Sequence, residues 1–174
     1  GTLIDSMEVW ESLDIAFIES KGHSFNLDYL DEQKSKSLGD LPEFLKRVYG
    51  IDTSAKELDD FMAATMIDNY KNTFAYKEGV KEKLEALKEK GFKMCITTAT
   101  VSSYCSYCLD RLGLGSYMDF VQTPDKVGLT KADPKFFKVA MKALGTKPED
   151  TYVFDDALYA LKNAKDLGLK TVAV

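Results

Sequence analysis

An open, parallel α/β sheet joined to a helical module is the architecture that this amino-acid pattern calls for. Three features carry that expectation. After Gly91, short apolar runs alternate with amphipathic segments, the rhythm of strand–helix–strand units whose parallel strands are covered on both faces. Before about Tyr76 the pattern is helical and is broken only by polar turns. Finally, 174 residues suffice for one sizeable core with a smaller appended module, but not for two full-sized domains.

In the helical module, EVWESLDIAFIESKG predicts one helix with Val9, Leu13, Ala16 and Phe17 on its apolar stripe. LPEFLKRVYG and SAKELDDFMAATMIDNYKNTF predict further helices. Glu57, Asp59 and Asp60 stand near the start of the last one, where negative charge complements the helix dipole. Trp10 reads as packing. His23, the single histidine, follows Gly22 in a turn, either as a solvated loop residue or as a substrate contact.

The second module opens with GVKEKLEALKEKG. There Val80, Leu84 and Leu87 share a face, Lys81 can pair with Glu85, and Gly91 suits a left-handed terminus. The expected strands are FKMCITTA (92–99), MDFVQT (118–123), TYVFD (151–155) and KTVAV (170–174). Between the first two, SSYCSYCLDRLG is a helix. Its Cys105 and Cys108 have CxxC spacing but no second pair to complete a zinc site, so they read as helix-face thiols. In KADPKFFKVAMKALG, Asp133 caps, Pro134 fits the first helical position, Phe137, Ala140, Met141 and Leu144 form the stripe, and Gly145 ends it. ALYALKNAKDLG repeats the logic with Leu161, Ala164, Leu167 and Gly168.

Composition removes several classes of function. A net charge of -5 and a pI near 5.0, without clustered Lys or Arg, leave no electrostatic footprint for nucleic acid. No run approaches the ~18 apolar residues of a membrane span. Three cysteines, an odd number, and no leader-like opening fit a reducing cytoplasm. Nothing in the pattern specifies an oligomeric state.

In open parallel sheets, ligands bind beyond the carboxyl ends of the strands. Thr97, Thr98, Ala99 and Thr100 follow the first strand and precede a helix, whose free N–H groups suit an anion. Asp155 and Asp156 follow the third strand. Adjacent carboxylates repel unless a cation or strong donors stand nearby, and a hard divalent ion such as Mg2+ fits them. Lys131, in GLTKADP, can add a point positive charge. Singly, these are an ordinary strand-to-helix cap, a turn pair and a loop lysine; together they describe a site for a small phosphorylated substrate.

The same residues resemble the haloacid dehalogenase superfamily. GTLIDSM resembles the tail of motif I, Asp-x-Asp-Gly-Thr; MCITTAT resembles motif II, KADPKFF the lysine-bearing motif III, and YVFDDALYALKNAKDLG the acidic motif IV. KEGVKEKLEALKEKGFK is similar to the segment that re-enters the core from the cap in the phosphoglycolate phosphatase and β-phosphoglucomutase-like branch. The resemblance spans the whole chain and implies a Rossmann-like core over 1–5 and 77–174, with an inserted α-helical cap over 6–76. It implies that Thr98, helped by the Ala99 N–H, binds the transferring phosphoryl group, that Lys131 neutralises its oxygens, and that Asp156 holds Mg2+ directly, with Asp155 reaching it directly or through water. On that reading Lys131→Ala abolishes phosphoryl transfer with the fold retained.

The family's nucleophile and its general acid/base are the two aspartates immediately before Gly-Thr, whereas this sequence begins at Gly1. The expectation is therefore a piece of a longer protein whose first core strand, carrying those aspartates, is absent from the given chain. The implied activity is a Mg2+-dependent phosphatase using an aspartyl-phosphate intermediate. A β-phosphoglucomutase-like transfer shares every motif, and a non-catalytic binding protein follows if Gly1 is the native start. The metal-free dehalogenase branch would leave the Asp155–Asp156 repulsion unexplained.

Overall fold

The structure is a computed structural model that describes residues 1–174. The chain divides into two compact units, Ser6–Asn69 and Gly1–Asp5 with Tyr70–Val174.

The first unit is helical: α1 (Met7–Glu11), α2 (Leu13–Ser20), α3 (Leu30–Lys34), α4 (Leu41–Tyr49) and most of α5 (Ala55–Asn72). The single helix expected over its first stretch is broken at Ser12. The Ser12 hydroxyl donates to the Glu8 carbonyl at 2.8 Å, and its N–H turns back to the Val9 carbonyl, a local bonding pattern that competes with helix continuation. Phe17, Ile18, Leu41, Phe44, Leu45, Ile51 and Leu58 form the core. Phe17 meets Phe61 edge-on at 5.2 Å, a geometry aromatic pairs favour. Gly50, at φ 71°, supplies the left-handed residue that ends α4. Trp10, expected to pack, stays 39% exposed, and His23 is exposed beside the Tyr49 ring.

The second unit contains α6 (Val80–Glu89), β1 (Cys95–Thr97), α7 (Ser102–Arg111), β2 (Phe120–Gln122), α8 (Pro124–Val127), α9 (Lys135–Leu144), β3 (Tyr152–Asp155), α10 (Leu158–Asp166) and β4 (Lys170–Ala173). Its boundary falls at Tyr70 rather than after Tyr76. Side chains explain the position. The Tyr70 and Phe74 carbonyls accept from Cys108 and Arg111 of α7, and the Tyr76 hydroxyl donates to the Leu112 carbonyl at 2.8 Å. Residues 1–5 attach to this segment through an antiparallel bridge of Ile4 with Tyr76 and the hydrogen bonds Asp5 N–H to Ala75 O and Lys77 N–H to Leu3 O.

Both strand pairs are parallel, as strand–helix–strand connections require. Cys95 lies opposite Phe120 in β1–β2, and Tyr152 opposite Lys170 in β3–β4. The strands form two two-stranded ladders, β1–β2 and β3–β4. Phe137, Met141, Ala160, Ala164 and Leu169 pack α9 and α10 onto β3–β4. Full burial of a residue such as Phe137 stabilises by roughly 1.5–3 kcal/mol. Pro134 already has helical angles, φ -54° and ψ -25°, and the Lys135 N–H donates to Asp133 Oδ1 at 2.8 Å. No helix is long and apolar enough to cross a membrane.

Candidate active site

β3 ends at Asp155 and the chain turns through Asp156 and Ala157 into α10. The Asp155 carboxylate is 2% exposed. Its Oδ1 accepts the Ala157 N–H at 3.0 Å, closing a turn of the kind aspartate favours. Its Oδ2 accepts from Lys131 Nζ at 2.6 Å. Lys131, in the loop between α8 and α9, is itself buried. Each charge is thus taken from water and compensated by the other, an arrangement stable only while both remain.

Asp156 points elsewhere. It is exposed, and its Oδ1 accepts the Thr2 hydroxyl at 2.8 Å. A Cβ on Gly1 would collide with the Asp156 carboxylate, so glycine permits this close approach. Partial burial works to raise the Asp156 carboxyl. The hydrogen bond from Thr2 leads the influences that outweigh that, with the Lys131 charge among them, and the carboxyl lies below its usual value. Lys131, Asp155 and Asp156 are therefore gathered in one place, with Gly1 and Thr2 as a fourth side that periodicity gave no sign of.

Thr98 and Ala99 follow β1 of the other ladder. The Thr98 N–H donates to the Gln122 carbonyl at 3.1 Å, and its Oγ1 accepts the Thr100 N–H at 3.0 Å. Thr98 is half-buried and Ala99 exposed. No hydrogen bond ties either to Lys131, Asp155 or Asp156. The amino end of α7, expected to offer free N–H groups to an anion, is capped from within. Asp125 accepts the Ser102 N–H at 2.9 Å and also its hydroxyl. These bonds lower the Asp125 carboxyl to about 2, because a donated hydrogen bond favours the charged form. A helix start takes the nearest anion, and here one lies within the chain.

Cys105 and Cys108 are buried free thiols, and burial pushes the Cys105 thiol up to about 11. No group of three or more His, Cys, Asp or Glu side chains suited to a metal occurs. Asp155 and Asp156 nevertheless fit Mg2+. Their oxygens keep unused lone pairs, and this ion commonly binds through one or two carboxylates, keeps several waters and adds a substrate phosphate oxygen.

A family model described as haloacid dehalogenase-like hydrolase matches residues 1–174. Over 129 residues the chain is 32% identical to pyrophosphatase PpaX of Halalkalibacterium halodurans, covering 70% of this chain and 60% of that one. Over 116 residues it is 33% identical to a glyceraldehyde 3-phosphate phosphatase of Pyrococcus furiosus, covering 64% of this chain and 48% of that one. The matches thus span about half the length of these relatives. Among solved structures, a β-phosphoglucomutase-like protein from Thermotoga maritima superposes with a TM-score of 0.83 at 23% identity, covering 98% of this chain and 79% of the other. That likeness is one of fold.

Proposed function

The chain belongs to the haloacid dehalogenase-like hydrolases, and on that premise we propose that it is a Mg2+-dependent phosphatase acting on a small phosphorylated metabolite. The observation that carries this reading is the buried Lys131–Asp155 pair beside the outward-facing Asp156. It is a poor arrangement for stability alone, but it presents a cation and a hard-cation seat side by side, as phosphoryl transfer needs. Two relatives carrying phosphatase and pyrophosphatase names support the substrate class.

In this reading Asp156, with Asp155 behind it, would hold Mg2+, which would draw charge from the phosphoryl oxygens. Lys131 supplies a fixed positive charge to the same oxygens. The Thr98 hydroxyl and the Ala99 N–H are the proposed further donors. Gly1 and Thr2 match the end of the Asp-x-Asp-Gly-Thr pattern, in which the carboxylates just before that pair act as nucleophile and general acid/base. The helical unit, Ser6–Asn69, would act as the family's cap, which excludes water from the substrate. Three free thiols accord with a reducing cytoplasm.

The test is Asp156→Asn in the full-length protein, read by hydrolysis of an aryl phosphate across a Mg2+ titration and by calorimetric Mg2+ binding. We expect activity to fall about 100-fold and Mg2+ affinity to weaken. Unchanged turnover together with an unchanged metal response would overturn the assignment.

A further inference from the structure

Lys131 is gripped at both ends by one strand–helix unit. Its ammonium meets Asp155 at the end of β3 at 2.6 Å. Its main-chain carbonyl accepts from Asn163 Nδ2 on α10 at 2.9 Å, and the same nitrogen donates to the Ala132 carbonyl at 3.0 Å. Two carbonyl acceptors can be satisfied only by the NH2 end of an asparagine, which fixes the orientation of the amide. The contacts close a ring: α10 to Asn163, across to the Lys131 backbone, along the lysine to Asp155, and back through the Ala157 N–H to the start of α10.

A lysine is a long chain with four rotatable bonds, and a carboxylate at its tip restrains the ammonium but not the loop that carries it. Asparagine is also a poor residue for a helix interior, because its amide competes for backbone partners. Asn163 lies in the middle of α10, and both of its hydrogen bonds go to the lysine-bearing loop rather than to its own helix. We propose that Asn163 is a positioning residue for Lys131: it clamps the Lys131–Ala132 backbone to α10, so that the ammonium stands beside Asp155 and Asp156 instead of moving with its loop. Its value to the reaction rests on the phosphatase reading above, whereas the clamp itself does not.

Asn163→Asp keeps the shape and replaces both N–H donors with an anion facing two carbonyls. Asn163→Ala removes the amide without adding charge, and Asn163→Gln restores an amide. The first readout is acetylation of Lys131 by acetic anhydride, followed by mass spectrometry in the chain as it stands, with the exposed Lys138 and Lys142 as internal references. Loss of the clamp should speed Lys131 labelling at least about fivefold in the Asp and Ala variants, since each of its two lost hydrogen bonds is worth about that factor in local opening. The reference lysines should not change, and Gln should reverse part of the effect. The second readout is hydrolysis of an aryl phosphate by the full-length protein, where kcat should fall about tenfold with little change in KM, since a displaced charge acts mainly on the transition state. Labelling at the wild-type rate in both the Asp and Ala variants overturns the clamp. Faster labelling with unchanged kcat overturns its part in the reaction. If the unmutated protein hydrolyses no phosphate ester, the functional reading fails while the labelling still decides the clamp.

Discussion

Lys21–Glu57, Lys46–Asp52 and Lys56–Asp60 in the helical unit and Lys131–Asp155 in the α/β unit are the same chemistry in opposite surroundings. The Lys56–Asp60 side chains are 82% and 63% exposed, those of Lys131–Asp155 11% and 2%. In water the attraction is small, screened by salt, and offset by the entropy of holding two long side chains still. Away from water both the attraction and the cost of losing a partner grow. The contrast separates charges that decorate a soluble helix surface from charges that a fold has built around, and only the second kind marks a candidate site.

The largest expected effect comes from breaking the buried pair. Asp155→Ala leaves the Lys131 ammonium buried and uncompensated, and Lys131→Ala does the same to the carboxylate. Each should cost about 3–5 kcal/mol in urea unfolding. Lys131→Ala, expected from the sequence to retain the fold, should therefore retain it at reduced stability. The double variant Lys131→Met with Asp155→Leu should recover most of the loss, and a double variant no more stable than the singles would break the comparison.

An intermediate effect belongs to Asp125, exposed yet tied to Ser102. Its folded-state carboxyl lies at about 2, below the ordinary 3.8. Its stabilisation is therefore fully present above 3.8 and is lost as pH falls toward about 2. Asp125→Asn keeps an oxygen for the cap but cannot titrate, so the urea midpoint should decline less steeply through that window than in the unmutated chain. Equal acid slopes would show that the cap is not coupled to stability. The smallest effect is expected at Lys56→Ala, which should leave the unfolding midpoint unchanged within error at moderate salt; a clear drop would mean that the exposed pairs of the helical unit carry more than their surroundings suggest.

Much of this was legible in residue order. Phe137, Ala140, Met141 and Leu144 lie at helical spacing and are all buried in α9. Gly145 and Gly168 end their helices at φ 66° and 85°. Asp155, Asp156 and Lys131 were recognisable because carboxylates at a strand end and a lysine before a proline-capped helix are unusual in kind as well as in position. The break at Ser12 was not legible, since it depends on one hydroxyl choosing a carbonyl over solvent. The capping of α7 by Asp125 was equally hidden, because 23 positions of chain separate that carboxylate from Ser102.

Periodicity and punctuation decide local matters, since the backbone restricts each residue to a few conformations and its neighbours select among them. They were enough to place the four strands and helices such as α9 and α10. Which carboxylate turns inward to Lys131 and which faces solvent beside Thr2, and that Asn163 grips the lysine's backbone from another helix, depend on groups far apart in the chain. All of these pairings need the folded chain to bring their partners together, and for Lys131 and Asp155 burial also removes water as the competing partner.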